Sequence, residues 1–131
     1  MKFHHIGIFV KSLQIGRDYL NELFSINKIG EEIIDERMGI YVQFLTDKCG
    51  ICYEIVAPYS EVNPVQNLLK KNINILNHVA YKVENLETAI LKYRELGCIP
   101  LGKPTPAVAF QGRKVIFFLS KLGIIIELIE S

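Results

Sequence analysis

Polar and apolar positions alternate along residues 3–10 as they do in a strand buried on one face, and the pattern returns at 76–83. In the first stretch Ile6, Ile8 and Val10 share one face, while Phe3, His5, Gly7 and Phe9 share the other. In the second, Val79, Tyr81 and Val83 form one face and His78 shares the other with Ala80. Each histidine therefore has a small residue two positions on, which leaves room beside the imidazole. Apolar residues then recur at helical spacing, at Leu13, Leu20, Leu23 and Phe24 and again at Leu86, Ala89, Ile90, Tyr93 and Leu96. Extended apolar segments follow at 28–34, 40–46 and 51–56, and at 99–102, 107–110 with 113–119, and 124–129. The pattern predicts a β-α-β-β-β unit, twice. Asn63 before Pro64, Val65, Leu68 and Leu69 predicts a short capped helix joining the copies. One domain of two modules is expected: module one over 1–57, a connector over 58–74 and module two over 75–131.

A single offset of 73 residues relates the copies, carrying His5 to His78, Glu54 to Glu127, Val10 to Val83, Leu13 to Leu86, Leu23 to Leu96 and Gly50 to Gly123. This is an internal duplication. Cys52, Glu54 and Val56 share a strand face, as do Ile125, Glu127 and Ile129, so each copy places one carboxylate inside an apolar strand. A buried carboxylate must be paired, protonated or metal-bound. Two imidazoles and two carboxylates presented from equivalent places can converge across a pseudo-two-fold axis, and four such groups would make a divalent metal site.

Other candidates fare less well. Strand alternation turns His4 away from His5, and its repeat partner is Asn77, so His4 is read as structural or partly exposed. Glu130 points away from Ile125 and Ile129 and is expected to face solvent. Cys49-Gly-Ile-Cys52 is a C-x-x-C that leads into a strand rather than a helix, and only Cys98 remains to complete a zinc set, so neither redox chemistry nor zinc fits it. Gly112 reads as a hairpin turn, and Pro100, Gly102, Pro104 and Pro106 mark an irregular stretch at the rim of a site.

Composition narrows the partners. The chain has 131 residues, half of them apolar, with 15 Lys plus Arg against 14 Asp plus Glu and no long block of either sign, so nucleic acid is not expected as a partner. No apolar run is long enough to span a bilayer, and no signal-peptide core is seen. Three cysteines, an odd number, suit a reducing compartment, and the cytoplasm is the expected location. A small-molecule ligand is expected.

Taken with the His and Glu positions, the segments His5-Ile-Gly-Ile-Phe-Val-Lys-Ser-Leu13, Ser60 to Lys70, His78-Val-Ala-Tyr-Lys-Val83 and Gly112 to Leu119 resemble the vicinal oxygen chelate superfamily. That superfamily includes glyoxalase I, methylmalonyl-CoA epimerase, extradiol dioxygenases and antibiotic-resistance binders, and the segments are most similar to the epimerase branch. The resemblance covers nearly the whole chain. It implies an α+β fold, two tandem βαβββ modules forming an open curved mixed sheet around a central cavity, with His5, Glu54, His78 and Glu127 as metal ligands.

By the same resemblance the metal is cobalt, nickel, zinc, manganese or iron, acting as a Lewis acid on a substrate with two neighbouring oxygens and stabilising an enolate. The base would be Glu127 or Glu36, the latter because Asp35-Glu36-Arg-Met-Gly39 resembles an acidic stretch in the epimerase branch. The implied function is epimerisation of a 2-substituted acyl-CoA. A lactoylglutathione lyase and a non-catalytic binder remain as alternatives, and a homodimer is compatible with the family. Glyoxalase I usually carries an arginine on its first strand for glutathione, and this strand has none. Leu119-Ser120-Lys121 departs from the epimerase branch, which often has His-Pro before a lysine there.

Overall fold

Alternation along the first apolar stretch is realised as strand β1 (Lys2–Phe9), in which every second residue from His5 onward is buried. The computed structural model describes residues 1–72 and 75–131. After β1 come α1 (Leu13–Phe24), β2 (Ile26–Ile29), β3 (Ile33–Asp35), β4 (Ile40–Asp47), β5 (Cys52–Pro58) and α2 (Val65–Lys71). The second copy follows as β6 (Leu76–Val83), α3 (Leu86–Glu95), β7 (Ile99–Pro100), β8 (Thr105–Pro106), β9 (Lys114–Leu119) and β10 (Ile125–Glu130). Residues 73 and 74, the end of the expected connector, lie outside the described residues. The class is α+β, and among the described residues no helix is long and apolar enough to cross a membrane.

The chain divides into two compact units, His5–Asn77 and His78–Ser131 with Met1–His4. In the first, the strand order is β2-β4-β5-β1, with β3 also on β4; β1 and β5 run parallel and the other pairs antiparallel. Helix α1 lays Leu13 and Leu20 on Leu45, Ile55 and Ala57. Leu45 and Ile55 are wholly buried, each contributing about 1.5–3 kcal/mol by removal from water. In the second unit the order is β6-β10-β9-β7 with β8 on β9, and β6 and β10 are the parallel pair. There Leu86 of α3 joins Val83, Ile116, Phe118 and Leu128 in the core. In each unit the helix that follows the first strand, α1 or α3, covers one face of a mixed sheet, and the other face bears His5 and Glu54, or His78 and Glu127.

The duplication extends to the caps and turns. The Ser12 side chain accepts from Ile15 N–H to begin α1, and Asn85, 73 residues on, accepts from Thr88 N–H to begin α3. In the β4–β5 hairpin Asp47 N–H donates to Ile51 and Gly50 N–H to Asp47. In the β9–β10 hairpin Ser120 N–H donates to Ile124 and Gly123 N–H to Ser120. Both glycines are left-handed, at φ 85° and 79°. The expected connector helix is present as α2, with the Asn63 side chain accepting from Val65 and Gln66 N–H.

Two expected strands differ. The 28–34 segment is two short strands, because it is interrupted where the buried Gln43 side chain donates to the Gly30 carbonyl and accepts from Arg17, which also pairs with Glu32 at 3.3 Å. The repeat partner of Gln43 is Ile116, an apolar core residue, so only the first copy is tied this way. The 107–110 segment is not extended either: Val108–Phe110 forms a 3-10 turn that buries Phe110 and sets its ring edge-on to His4 at 5.4 Å.

The two hairpins differ in one side chain. Asp47 accepts from Cys49 and Ile51 N–H and from Tyr53 Oη, whereas Ser120 accepts from Ile124 N–H alone among the bonds described. Burial alone would push the Asp47 carboxyl up. The bonds from Ile51, Tyr53, Cys49 and Gly50 outweigh it and hold Asp47 below the ordinary carboxylate value of 3.8. A depressed native pKa contributes stability above the unfolded value, lost as pH falls through the native one. Asp47→Asn should therefore be less stable than wild type at pH 7 by urea unfolding, with the gap closing as pH drops below about 4. A Cβ on either hairpin glycine would meet nothing within 4 Å. Gly50→Ala and Gly123→Ala should then each cost only the left-handed backbone penalty, about 1–2 kcal/mol and similar at both sites.

Candidate functional site

On β1, His5 is wholly buried, and across the parallel pair Gly7 stands in register with Glu54 of β5. Glycine leaves the carboxylate space to lean back along the strand, and Glu54 Oε1 lies 3.4 Å from His5 Nε2. The second unit repeats this. Ala80 stands in register with Glu127, and Glu127 Oε2 lies 3.1 Å from His78 Nε2. All four residues are buried, with Glu54 at 6%, His78 at 5% and Glu127 at 2% exposure. The structure therefore brings the expected ligands together as two matched pairs, one per unit.

Aromatic rings hold each imidazole. Phe44, in register with Glu54 on β4, meets His5 edge-on at 5.5 Å, and Phe117, in register with Glu127 on β9, meets His78 edge-on at 5.3 Å. Reading the sequence as strands makes both rings look like ordinary core residues. The offset of 73 residues that links Phe44 to Phe117 was the available signal. Beyond Phe44, Ile40, Val42 and Thr46 alternate onto the face of β4 that bears Glu54, so this strand adds no titratable group to that face.

The remaining sequence candidates fall outside the pairs. Glu36 is exposed in the turn between β3 and β4, next to buried Asp35, whose Oδ1 accepts from Met38 N–H. Glu130 is half-buried, not fully in solvent, and accepts from Lys114 N–H at the start of β9. His4 is half-buried, with its ring edge-on to Phe110.

Cys49, Cys52 and Cys98 are all free thiols. Burial, and then the charge of Glu54, push the Cys52 thiol up, so it is neutral near pH 7 and poorly suited to nucleophilic or redox work.

Two buried imidazole–carboxylate pairs on matching modules offer a donor set of nitrogen and oxygen without thiolate, the chemistry of a borderline divalent ion. The model of the glyoxalase/bleomycin resistance protein/dioxygenase superfamily matches residues 4–117, and the chain belongs to that family. It is 28% identical over 131 residues to an ethylmalonyl-CoA/methylmalonyl-CoA epimerase of Cereibacter sphaeroides, covering 97% of this chain and 96% of that one. It is 25% identical over 133 residues to the mitochondrial methylmalonyl-CoA epimerase of Dictyostelium discoideum, covering 99% of this chain and 78% of that one. Among solved structures, a hypothetical protein of Bacillus halodurans superposes with a TM-score of 0.84 at 25% identity, covering 99% of this chain and 94% of that one. These relatives indicate an enzyme of the epimerase/isomerase kind.

The neutral Cys52 thiol carries a direct test. Replacing Cys49 and Cys52 together by serine should leave divalent-ion affinity within about twofold, measured by competition with a chelating dye; a large loss would make the thiols ligands.

Proposed function

We propose that the chain is a divalent-metal-dependent epimerase of a 2-substituted acyl thioester of the methylmalonyl-CoA kind, with His5, Glu54, His78 and Glu127 as the ligands of one ion. The observation that carries this reading is the repeated buried pair, His5 with Glu54 and His78 with Glu127, which offers one ligand atom from each of four residues. Two donors are too few to hold a divalent ion, so the reading requires both modules and treats the chain as one functional domain. Cobalt, nickel, zinc, manganese and iron all suit two imidazoles and two carboxylates. Such an ion supplies a Lewis acid that stabilises negative charge on a substrate with two neighbouring oxygens.

The chain's own residues have the remaining tasks. Phe44 and Phe117 fix the planes of the two imidazoles, so that the donor nitrogens are oriented before anything binds. Glu127 is our first candidate base. The C2–H bond of the thioester breaks, the proton passes to a carboxylate oxygen, and the electron pair delocalises into the thioester carbonyl. Return of a proton to the opposite face of C2 inverts the centre; Glu36 is our alternative candidate for the base. The names of the relatives support the acyl-CoA substrate, since both are epimerases of substituted malonyl-CoA.

Metal-loaded protein incubated with methylmalonyl-CoA in heavy water should incorporate deuterium at C2 and interconvert the stereoisomers. Lack of both overturns the reading. Alanine at His5, Glu54, His78 or Glu127 should each reduce bound metal from one ion per chain, read by elemental analysis. Glu36→Gln should keep the metal and lower kcat by about 100-fold or more, the range for loss of a general acid or base.

A further inference from the structure

The face of β6 that carries His78 and Ala80 continues to Lys82, which is half-buried and in register with Ile129, two residues beyond Glu127 on β10. Ala80 and Ile129 are wholly buried, so Lys82 rises from an apolar floor on the same face as the His78–Glu127 pair. Among the described residues no carboxylate pairs with it. The repeat breaks here, because 73 residues earlier the equivalent position is Phe9, a buried aromatic ring. One copy has an apolar wall there and the other a cation.

Two residues of strand separate the Cα atoms of Lys82 and Ala80 by about 7 Å, roughly what a four-carbon stem and its ammonium can span. Lysine can lay its stem along the apolar floor and present the charge at the end. A second positive charge beside a divalent-ion site is repelled unless an anion lies between them. The arrangement therefore selects for a ligand that keeps negative charge on an oxygen outside the chelate, as the second oxygen of a chelating carboxylate does.

We infer that Lys82 is a specificity-determining residue that receives the free carboxylate of a 2-carboxyacyl thioester. The inference rests on the epimerase reading above and deepens it by naming which acyl groups are favoured. A malonyl-type acyl group carries a carboxylate on the reacting carbon, whereas propionyl carries a hydrogen in its place. A charge-assisted hydrogen bond to that carboxylate corresponds to about tenfold or more in affinity.

Calorimetric titration of metal-loaded, full-length protein with methylmalonyl-CoA and with propionyl-CoA tests this. Wild type should bind methylmalonyl-CoA about tenfold or more tightly than propionyl-CoA. Lys82→Met should lower that ratio by about tenfold without changing the metal content, and Lys82→Arg should restore most of it. A ratio that is the same in Lys82→Met as in wild type, or a wild type with no preference, overturns the role of Lys82. Deuterium incorporation by the same wild-type preparation reports on the reaction separately. Exchange with an unchanged ratio removes Lys82 and leaves the epimerase; a ratio that collapses in Lys82→Met without any exchange supports Lys82 and removes the epimerase.

Discussion

Burying a carboxylate on a β-sheet is the constraint from which the rest of each module follows. Stripping water from an ionised carboxyl costs several kcal/mol in a protein interior, so Glu54 and Glu127 can persist only beside groups that compensate them. Each has an imidazole at hydrogen-bonding range or slightly beyond, 3.4 Å in one unit and 3.1 Å in the other. Geometry then dictates the neighbours. The residue in register with the carboxylate across the parallel pair must be small, and it is Gly7 or Ala80. The residue in register on the antiparallel side must fill space and steady the ring, and it is Phe44 or Phe117.

This same arrangement occurs twice because the gene unit occurs twice. Caps, hairpin turns, parallel pairs and aromatic braces all return at one spacing, which means that the two copies still solve the same packing problem in the same way. The glyoxalase/bleomycin resistance protein/dioxygenase superfamily, to which the chain belongs, matches across both copies, from residue 4 to 117. Departures from the repeat are the places where the copies have taken separate roles. Phe9 against Lys82, and Asp47 against Ser120, are two of them.

Much of this was legible in the sequence, and for a physical reason. A polar residue that interrupts strand alternation is conspicuous, so His5, Glu54, His78 and Glu127 stood out, and the offset assigned them to equivalent positions. Phe44 and Phe117 were hidden because an aromatic ring in an apolar strand breaks no pattern. The split between β2 and β3 was hidden as well, since it depends on a long-range bond from the Gln43 side chain to Gly30. At 107–110 the apolar run matched a strand, but burying Phe110 through a 3-10 turn satisfied the same residues. Glu36 entered through family resemblance alone, and its exposed turn shows why: a surface carboxylate carries no packing signature.

The Gln43 tie has an energetic consequence of its own. Where the first module secures its strands through Arg17, Gln43 and a backbone carbonyl, the second places Ile116 in a hydrocarbon core. Apolar burial weakens on cooling, whereas the charged arm of the tie weakens as ionic strength rises. Both halves keep apolar cores, so chill touches each, while brine loosens in the earlier half a tie whose counterpart in the later half is hydrocarbon; two descendants of one ancestor no longer share every weakness.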